Sequence, residues 1–260
     1  MSDALERFAR LVEQDHFPLD AACAAIGAHL DPTADALAVP DRLDEIASAV
    51  PDATVEDLTA HLFGTVGLHG DAETYDDPLN SFLHRVLERR RGLPITLSII
   101  TIEVGRRVGL DLVGVGMPGH FLVQDLGAPD RFLDPFIGGQ LLDRDDCIER
   151  FHRLFGRSAA FADDYLRPTP TPDIVARVLA NLRATYTRRG SRRPLAETLR
   201  LRALLPPRRP AEDRELAGAL EAIGAFDEAA ATYERAAAEA DDADRDRLEA
   251  RAHRLRARLN

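Results

Sequence analysis

Residues 92–124 read GLPITLSIITIEVGRRVGLDLVGVGMPGHFLVQ, and RFLDPF follows at 131–136. The GLP at the start predicts a helix N-terminus, because proline at the first helical position has no N–H that would be left unpaired there. From Ile95 to Val108 the apolar residues surround most of the helix circumference, which is typical of a buried, central helix. Gly109 is a natural helix end.

Short strands are predicted after this helix. Residues 112–117 form an apolar run that ends in a Pro-Gly turn, and residues 120–124 read as the next strand, which presents His120. Residues 131–134 return as a third strand, which presents Asp134. Adjacent antiparallel strands can bring this imidazole and this carboxylate into hydrogen-bond contact. A carboxylate in that position fixes the tautomer and orientation of the imidazole, as in a catalytic triad.

The N-terminus of the predicted helix carries hydroxyl groups and no thiol. Thr96 and Ser98 lie in its first turns, near the positive end of the helix dipole, where a cysteine thiolate would be stabilised. The chain has two cysteines, Cys23 and Cys147, which are far apart and are predicted to be small buried side chains in a reducing compartment.

These segments together resemble the transglutaminase-like superfamily, and more closely its SirB-type branch. The motifs that carry the resemblance are YDDPLNSFLHRVLERRRGLPITLS at 75–98, GVGMPGHFLV at 114–123 and FLDPFIGG at 132–139. The resemblance implies an α+β fold of papain-like type, with a small antiparallel sheet and a buried helix.

In the enzymes of that superfamily a cysteine at the helix N-terminus acts with a histidine and an aspartate on neighbouring strands. The resemblance assigns the latter two roles to His120 and Asp134, and the cysteine position falls at 94–96, best matched by Thr96. The site is therefore interpreted as a degenerate triad of His120, Asp134 and Thr96. We expect four further residues to line the same cleft: Ser98, Asn80, His69 and Pro94.

The composition limits the functions that the chain can have. Its 260 residues carry a net charge of −11, which argues against a nucleic-acid partner or an anionic membrane surface. All basic residues are arginine, and the absence of lysine excludes a P-loop and Schiff-base chemistry. Because residues 1–10 are charged and no apolar run could span a bilayer, we expect no signal peptide and a cytoplasmic protein.

Helical segments are predicted on both sides of the core. Residues 4–62 show helical apolar spacing, and three prolines at 168–172 mark a boundary between a unit at 1–166 and a unit at 172–260. In the second unit, Leu182, Tyr186 and Gly190 recur 34 residues later as Leu216, Leu220 and Gly224. That spacing is the tetratricopeptide period, and such repeats usually bind a protein or peptide.

No metal site or cofactor is predicted, because the histidines His61, His69, His84 and His120 lack the close spacing of metal-binding motifs.

Three functions stay open from the sequence. The first, which we favour, is a non-catalytic transglutaminase-like protein that binds or regulates a partner through its helical repeats. The second is an amide hydrolase or acyltransferase that uses Thr96, or Ser98, with His120 as the base. The third is a His–Asp cleft that binds an acyl or peptide terminus without turnover.

Overall fold

The computed structural model describes residues 3–33, 35–207 and 209–258. The α-helices in these residues are α1 Asp3–Val12, α2 Leu19–Leu30, α3 Val39–Ser48, α4 Val55–Thr59, α5 Leu83–Arg89, α6 Pro94–Arg107, α7 Arg144–Phe155, α8 Thr171–Arg188, α9 Arg192–Leu204, α10 Pro210–Ala222, α11 Phe226–Ala238 and α12 Asp242–Arg256. The strands are β1 His69–Gly70, β2 Arg91–Gly92, β3 Leu112–Val115, β4 Leu122–Asp125, β5 Phe132–Asp134 and β6 Gln140–Leu142.

The central helix is α6, which begins at Pro94 as the sequence predicted. Its side chains are buried from Pro94 to Gly105, so it has no solvent-facing stripe along most of its length. Helices with apolar residues all round are stable only when other elements cover every face. Here α2, α3, α4, α5 and α8 pack around it, together with the sheet.

The main sheet is antiparallel, with strand order β3-β4-β5-β6. Val123 of β4 pairs with Leu133 of β5, and both side chains face the core around α6. Their neighbours Leu122 and Phe132 point to the other face, where they pack with Phe151 of α7. Successive strand residues point to opposite faces, so this thin sheet separates α6 from α7.

Two features of the strands differ from the prediction. The strand predicted from residue 120 begins at Leu122, because the turn before it extends through His120. The strands β1 and β2 form a separate parallel pair, with His69 opposite Arg91. A strand of two residues has no alternating pattern, so the sequence carried no signal for this pair.

The helices after the proline-rich segment continue the packing of the core. Side chains of α8 belong to the same apolar cluster as α6: Ile174, Val175, Val178, Leu179, Leu182 and Tyr186. The helices α9 to α12 form a second cluster that includes Leu199, Leu216, Leu220, Ala229 and Leu255. Each helix packs on the next along the chain. The boundary at 166–172 and the tetratricopeptide-like repeat stay predictions.

The predicted α+β class, mostly helical with small sheets, is confirmed. In the described part of the chain, no helix combines the length and the apolar character needed to cross a bilayer.

Candidate functional site

His120 is held by a tight turn between β3 and β4. Its backbone N–H donates to the carbonyl of Met117 at 3.0 Å, and Gly119 has a φ of +74°, which favours glycine. A side chain at residue 119 would also come within 2.8 Å of Leu154 of α7. The turn therefore ends at the histidine, and the imidazole is presented from a turn rather than from a strand.

His120 and Asp134 are in direct contact. The imidazole Nε2 lies 2.8 Å from Oδ2 of Asp134, which is the last residue of β5. The carboxylate is fully buried, and its Oδ1 accepts the backbone N–H of Phe136 at 3.1 Å. A carboxylate can only accept, so Nε2 carries the proton and Nδ1 of a neutral ring carries the lone pair. This is the arrangement that orients a histidine for acid–base work.

Arg150 of α7 is a third member of this group, and it was missed in the sequence. Its Nη1 donates to the same Oδ2 of Asp134, and its Nη2 donates to Gln140 at 2.9 Å. The side chain of Arg150 is 13% exposed, so the ion pair with Asp134 is largely buried. A signal was present: Arg150 follows Cys147 by three residues, which places the two on one face of a helix, and Cys147 faces the core.

Thr96 has a structural role at the start of α6. Its buried hydroxyl accepts the N–H of Leu93, the N-cap residue, at 2.9 Å, which is one half of a capping box. The same hydroxyl donates to a backbone carbonyl, either that of Asn80 at 2.9 Å or that of Leu93 at 3.1 Å. The hydroxyl therefore accepts from one backbone group and donates its proton to another, and neither partner is His120.

Ser98 and Pro94 flank Thr96, and both are buried. Ser98 donates to the carbonyl of Phe121 at 3.2 Å, so it ties α6 to the residue that follows His120. Pro94 occupies the first position of the helix. Among the described residues, the hydroxyl groups of Thr96 and Ser98 have no hydrogen bond to the ring of His120.

Asn80 belongs to a separate buried network. Its side-chain amide donates to the carbonyl of Thr74 at 2.8 Å and to Asp71 at 3.2 Å, and its Oδ1 accepts from Arg89 at 3.3 Å. Burial raises the pKa of Asp71, but hydrogen bonds from Thr74 and Asn80 outweigh this and hold the pKa below its ordinary value. This network closes the loop 71–80 over the start of α6.

Aromatic rings connect His120 with that loop. The ring of Phe136 lies 6.3 Å from the His120 ring and 6.2 Å from the Tyr75 ring, edge to face in both cases. A side chain at Gly70 would come within 2.5 Å of Phe136, so β1 passes close to this ring. His69, also in β1, is exposed and contacts the carbonyl of Gly67 at 3.2 Å. We call the surface formed by His120, Phe136 and Tyr75 the His120 site.

Neither cysteine supplies a nucleophile to this site. Cys147 lies on α7, one helical turn before Arg150, but it is fully buried. Burial raises its pKa to about 12 and also raises the pKa of Cys23 far above the ordinary value. Both side chains are thus thiols at neutral pH, and a thiol is not the reactive form of cysteine.

No group of three histidine, cysteine or acidic side chains within residues 3–33, 35–207 and 209–258 has the geometry to hold a metal ion.

Comparisons with known proteins agree with this fold. The family model described as the transglutaminase-like superfamily matches residues 5–180. A protein of Xylella fastidiosa named UPF0162 protein is 43% identical over 136 residues, which is 50% of this chain and 47% of that protein. A UPF0162 protein of Pseudomonas aeruginosa is 33% identical over 163 residues, which is 60% of this chain and 59% of that protein.

A shorter match lies in a mouse protein, F-box only protein 21, which is 36% identical over 93 residues. These are 35% of this chain and 14% of the mouse protein. No solved structure matches the chain. The chain spans about half the length of the bacterial relatives described above. The SirB-type branch stays a prediction. Because the family model covers well over half of its residues, the chain belongs to the transglutaminase-like superfamily.

Proposed function

We propose that this protein is a non-catalytic member of the transglutaminase-like superfamily that binds a protein or peptide in the cytoplasm. The observation that carries the proposal is the hydrogen bonding of Thr96, the residue that best matches the superfamily's cysteine position in the predicted triad. Its oxygen accepts the N–H of Leu93 at 2.9 Å, and its proton is donated to the carbonyl of Asn80 at 2.9 Å or to that of Leu93 at 3.1 Å. Because His120 would have to accept that proton to activate the hydroxyl, a proton held by the backbone is not available to it.

The charge on Asp134 supports the same proposal. In a catalytic triad the buried aspartate stabilises the imidazolium that forms when the histidine takes a proton. Here Arg150 already pairs with the Oδ2 atom that contacts His120. A carboxylate whose charge is balanced by a guanidinium gives a protonated imidazole less stabilisation. The pair is therefore suited to holding the ring in place more than to moving protons.

The binding role rests on the C-terminal helices, for which we keep the predicted unit at 172–260. The 34-residue spacing relates α8 to α10, and Gly190 and Gly224 both follow helix ends with positive φ, at +64° and +81°. The helices α8, α9 and α10 line a groove with Ala180, Leu199 and Glu212 on its walls. Repeats of this kind bind peptides along their surfaces. The net charge of −11 disfavours nucleic acid as the partner.

The decisive test compares turnover with and without the imidazole. The full chain and its His120→Ala variant are assayed for amide hydrolysis, for thioester hydrolysis and for incorporation of an amine into glutamine peptides. The proposal predicts equal rates for the two proteins, at the level of the buffer blank. A rate in the parent that disappears in His120→Ala, in a variant that unfolds at the parent's temperature, would overturn it.

The contact between His120 and Asp134 at 2.8 Å favours a second candidate function. An amide hydrolase or acyltransferase could use this pair with Thr96 as the nucleophile, provided that the hydroxyl leaves its backbone partners. That function predicts a rate that depends on both side chains, so Thr96→Val would abolish it together with His120→Ala. Rates that do not respond to either substitution exclude it.

A further inference from the structure

Arg177 of α8 lies against the turn that carries His120. Its Nη2 donates to the carbonyl of His120 at 2.7 Å and to that of Met117 at 3.1 Å. The guanidinium also lies over the ring of Phe121, with 5.3 Å from Cζ to the ring centre. A side chain at Gly116 would come within 3.0 Å of Nη1, so the glycine leaves the space that the arginine occupies.

This guanidinium has no carboxylate partner among the residues that the structure describes. Its Nε and Nη1 make no hydrogen bond within that part of the chain. Other arginines whose side chains are at most 23% exposed each face at least one carboxylate: Arg85, Arg89, Arg107, Arg150, Arg200 and Arg202. Arg91 is a second half-buried arginine without an ion pair among the described residues, so Arg177 is one of two such cations in a chain with a net charge of −11.

The environment of Arg177 favours the arrival of an anion. Burial lowers the pKa of its guanidinium, since a charge removed from water is destabilised until an opposite charge approaches. Burial raises the pKa of the Tyr75 phenol, and the charge of Arg177 acts in the opposite direction. The ring of Phe136 connects the two groups, because it contacts both the Tyr75 ring and the ring of His120, whose carbonyl Arg177 binds. A neutral phenol can donate a hydrogen bond beside the guanidinium.

The acidic groups in contact with the residues of this surface have other cationic partners. Asp134 is bound by Arg150 and His120, and Asp76 is bound by Arg188. A carboxylate carries a single negative charge and can accept two parallel hydrogen bonds from a guanidinium, which a single arginine can supply.

We propose that Arg177 binds a carboxylate of the ligand at the His120 site, with Tyr75 as a second donor and the ring of Phe136 against the ligand's apolar part. This inference goes beyond the proposed binding through the C-terminal helices, because it concerns a second surface of the molecule. The carboxylate has two possible sources, the C-terminus of a peptide or the side chain of an acidic residue. Both carboxylates would make the same contacts with Arg177 and Tyr75, so the experiment has to distinguish the two sources.

The test uses the full chain and a matched pair of small probes, N-acetyl-phenylalanine and its uncharged amide, with binding followed by NMR titration. The expected result is saturable binding of the acid at millimolar concentration and binding of the amide that is roughly tenfold weaker, the loss expected for one charge-assisted hydrogen bond. Tyr75→Phe should weaken the acid several-fold and leave the amide unchanged.

The variants separate a contact with the ligand from a structural role in the turn. Arg177→Gln should remove the preference for the acid, and Arg177→Lys, which keeps the charge, should retain part of it. The control is Arg189→Gln at the C-cap of the same helix, since Arg189 is exposed and lies outside the groove between α8, α9 and α10. It should bind both probes as the parent does. If Arg177→Gln does not fold, the parent and Arg177→Lys still decide the question.

Two peptide probes then distinguish the sources of the carboxylate. One is a short peptide with a free C-terminus and no acidic side chain, and the other is amidated and carries one glutamate. Tighter binding of the first assigns the site to a chain terminus, and tighter binding of the second assigns it to a side chain.

The inference is overturned if the parent binds the acid and the amide equally, if it binds neither, or if Arg177→Gln keeps the acid preference. Turnover that depends on His120 would refute the proposed function but would leave the acid preference intact, so the two failures can be told apart.

Discussion

The two halves of the site differ in what their polar side chains bind. The imidazole half consists of His120, Asp134 and Arg150, and it keeps the contact of a catalytic pair at 2.8 Å. The helix half consists of the N-terminus of α6, where the hydroxyl of Thr96 completes the backbone hydrogen bonding of Leu93 and Asn80. The first half still presents a group to the surface, and the second is buried and internal.

Under the proposed function, a position that reacts in the superfamily's enzymes serves the backbone in this chain. A hydroxyl at the third position of a helix can satisfy the N-cap N–H that a thiol satisfies poorly. Because the proton of the Thr96 hydroxyl goes to a backbone carbonyl, this hydroxyl makes no hydrogen bond to His120 in the described part of the chain. Asp134 then needs only to hold the ring, and a guanidinium on the same carboxylate oxygen does not interfere with that role.

The largest effect is expected in the imidazole half. Arg150→Met leaves the fully buried Asp134 with a charge that only His120 can balance, and removing one partner of a buried pair typically costs about 3–5 kcal/mol. Chemical denaturation measures the loss. The control is Arg153→Met on the same helix, where the side chain is exposed and the change should stay within about 0.5 kcal/mol. Equal losses of unfolding free energy for the two substitutions would show that the pair of Arg150 and Asp134 does not stabilise the fold.

The second-largest loss of stability is expected from a substitution in the helix half. Thr96→Val keeps the shape but removes the hydroxyl between the N–H of Leu93 and the carbonyl of Asn80, which keep only a long hydrogen bond of 3.5 Å to each other, at a cost of about 1–3 kcal/mol. The matched control is Thr101→Val in the same helix, because the buried hydroxyl of Thr101 only adds a bond to the carbonyl of Leu97. A destabilisation no larger than that of the control would remove the structural role assigned to Thr96.

A substitution at Gly92 tests the packing around Thr96 in the helix half independently of the hydroxyl group. A Cβ atom there would lie 2.7 Å from Oγ1 of Thr96 and 2.9 Å from the side chain of Val86. Gly92→Ala should therefore destabilise the protein by about 1–2 kcal/mol, a typical cost of overpacking. Gly64→Ala is the control, since an added Cβ atom would meet nothing within 4 Å. Thermal unfolding of both variants compares the two positions.

The smallest effect concerns the pH dependence of the loop beside the helix half. The folded protein holds the pKa of Asp71 below its ordinary value of 3.8, so the carboxylate stabilises the fold above that pH. The stability is lost as the pH falls through the lowered pKa. The difference in unfolding free energy between the parent and Asp71→Asn should therefore shrink on acidification below about pH 4. A difference that is constant with pH would contradict the assignment.

The sequence predicts what depends on local pattern. The buried helix α6 was predicted from its apolar circumference, and its start at Pro94 is confirmed. The contact of His120 with Asp134 was expected because two antiparallel strands are short and adjacent, and the structure places the two side chains 2.8 Å apart. Their functional roles stay predictions, because a hydrogen bond alone does not show what a histidine does.

The sequence could not predict what depends on tertiary packing. Arg177 reaches the turn of His120 from a helix that follows it in the chain, and no spacing rule connects an arginine to a turn 57 residues earlier. Nor does a threonine at a helix start reveal that a distant carbonyl, that of Asn80, will accept its proton. These contacts form only when separate elements are packed together.

The most direct test of the central claim restores the missing thiol. The rate at which iodoacetamide alkylates Thr96→Cys is measured against the parent, in which Cys23 and Cys147 are buried, and against the double variant with His120→Ala. If the helix half is structural, the new thiol reacts no faster than an ordinary cysteine and its rate is the same without His120. Rapid alkylation that depends on His120 would show a site laid out for nucleophilic attack and would contradict the account.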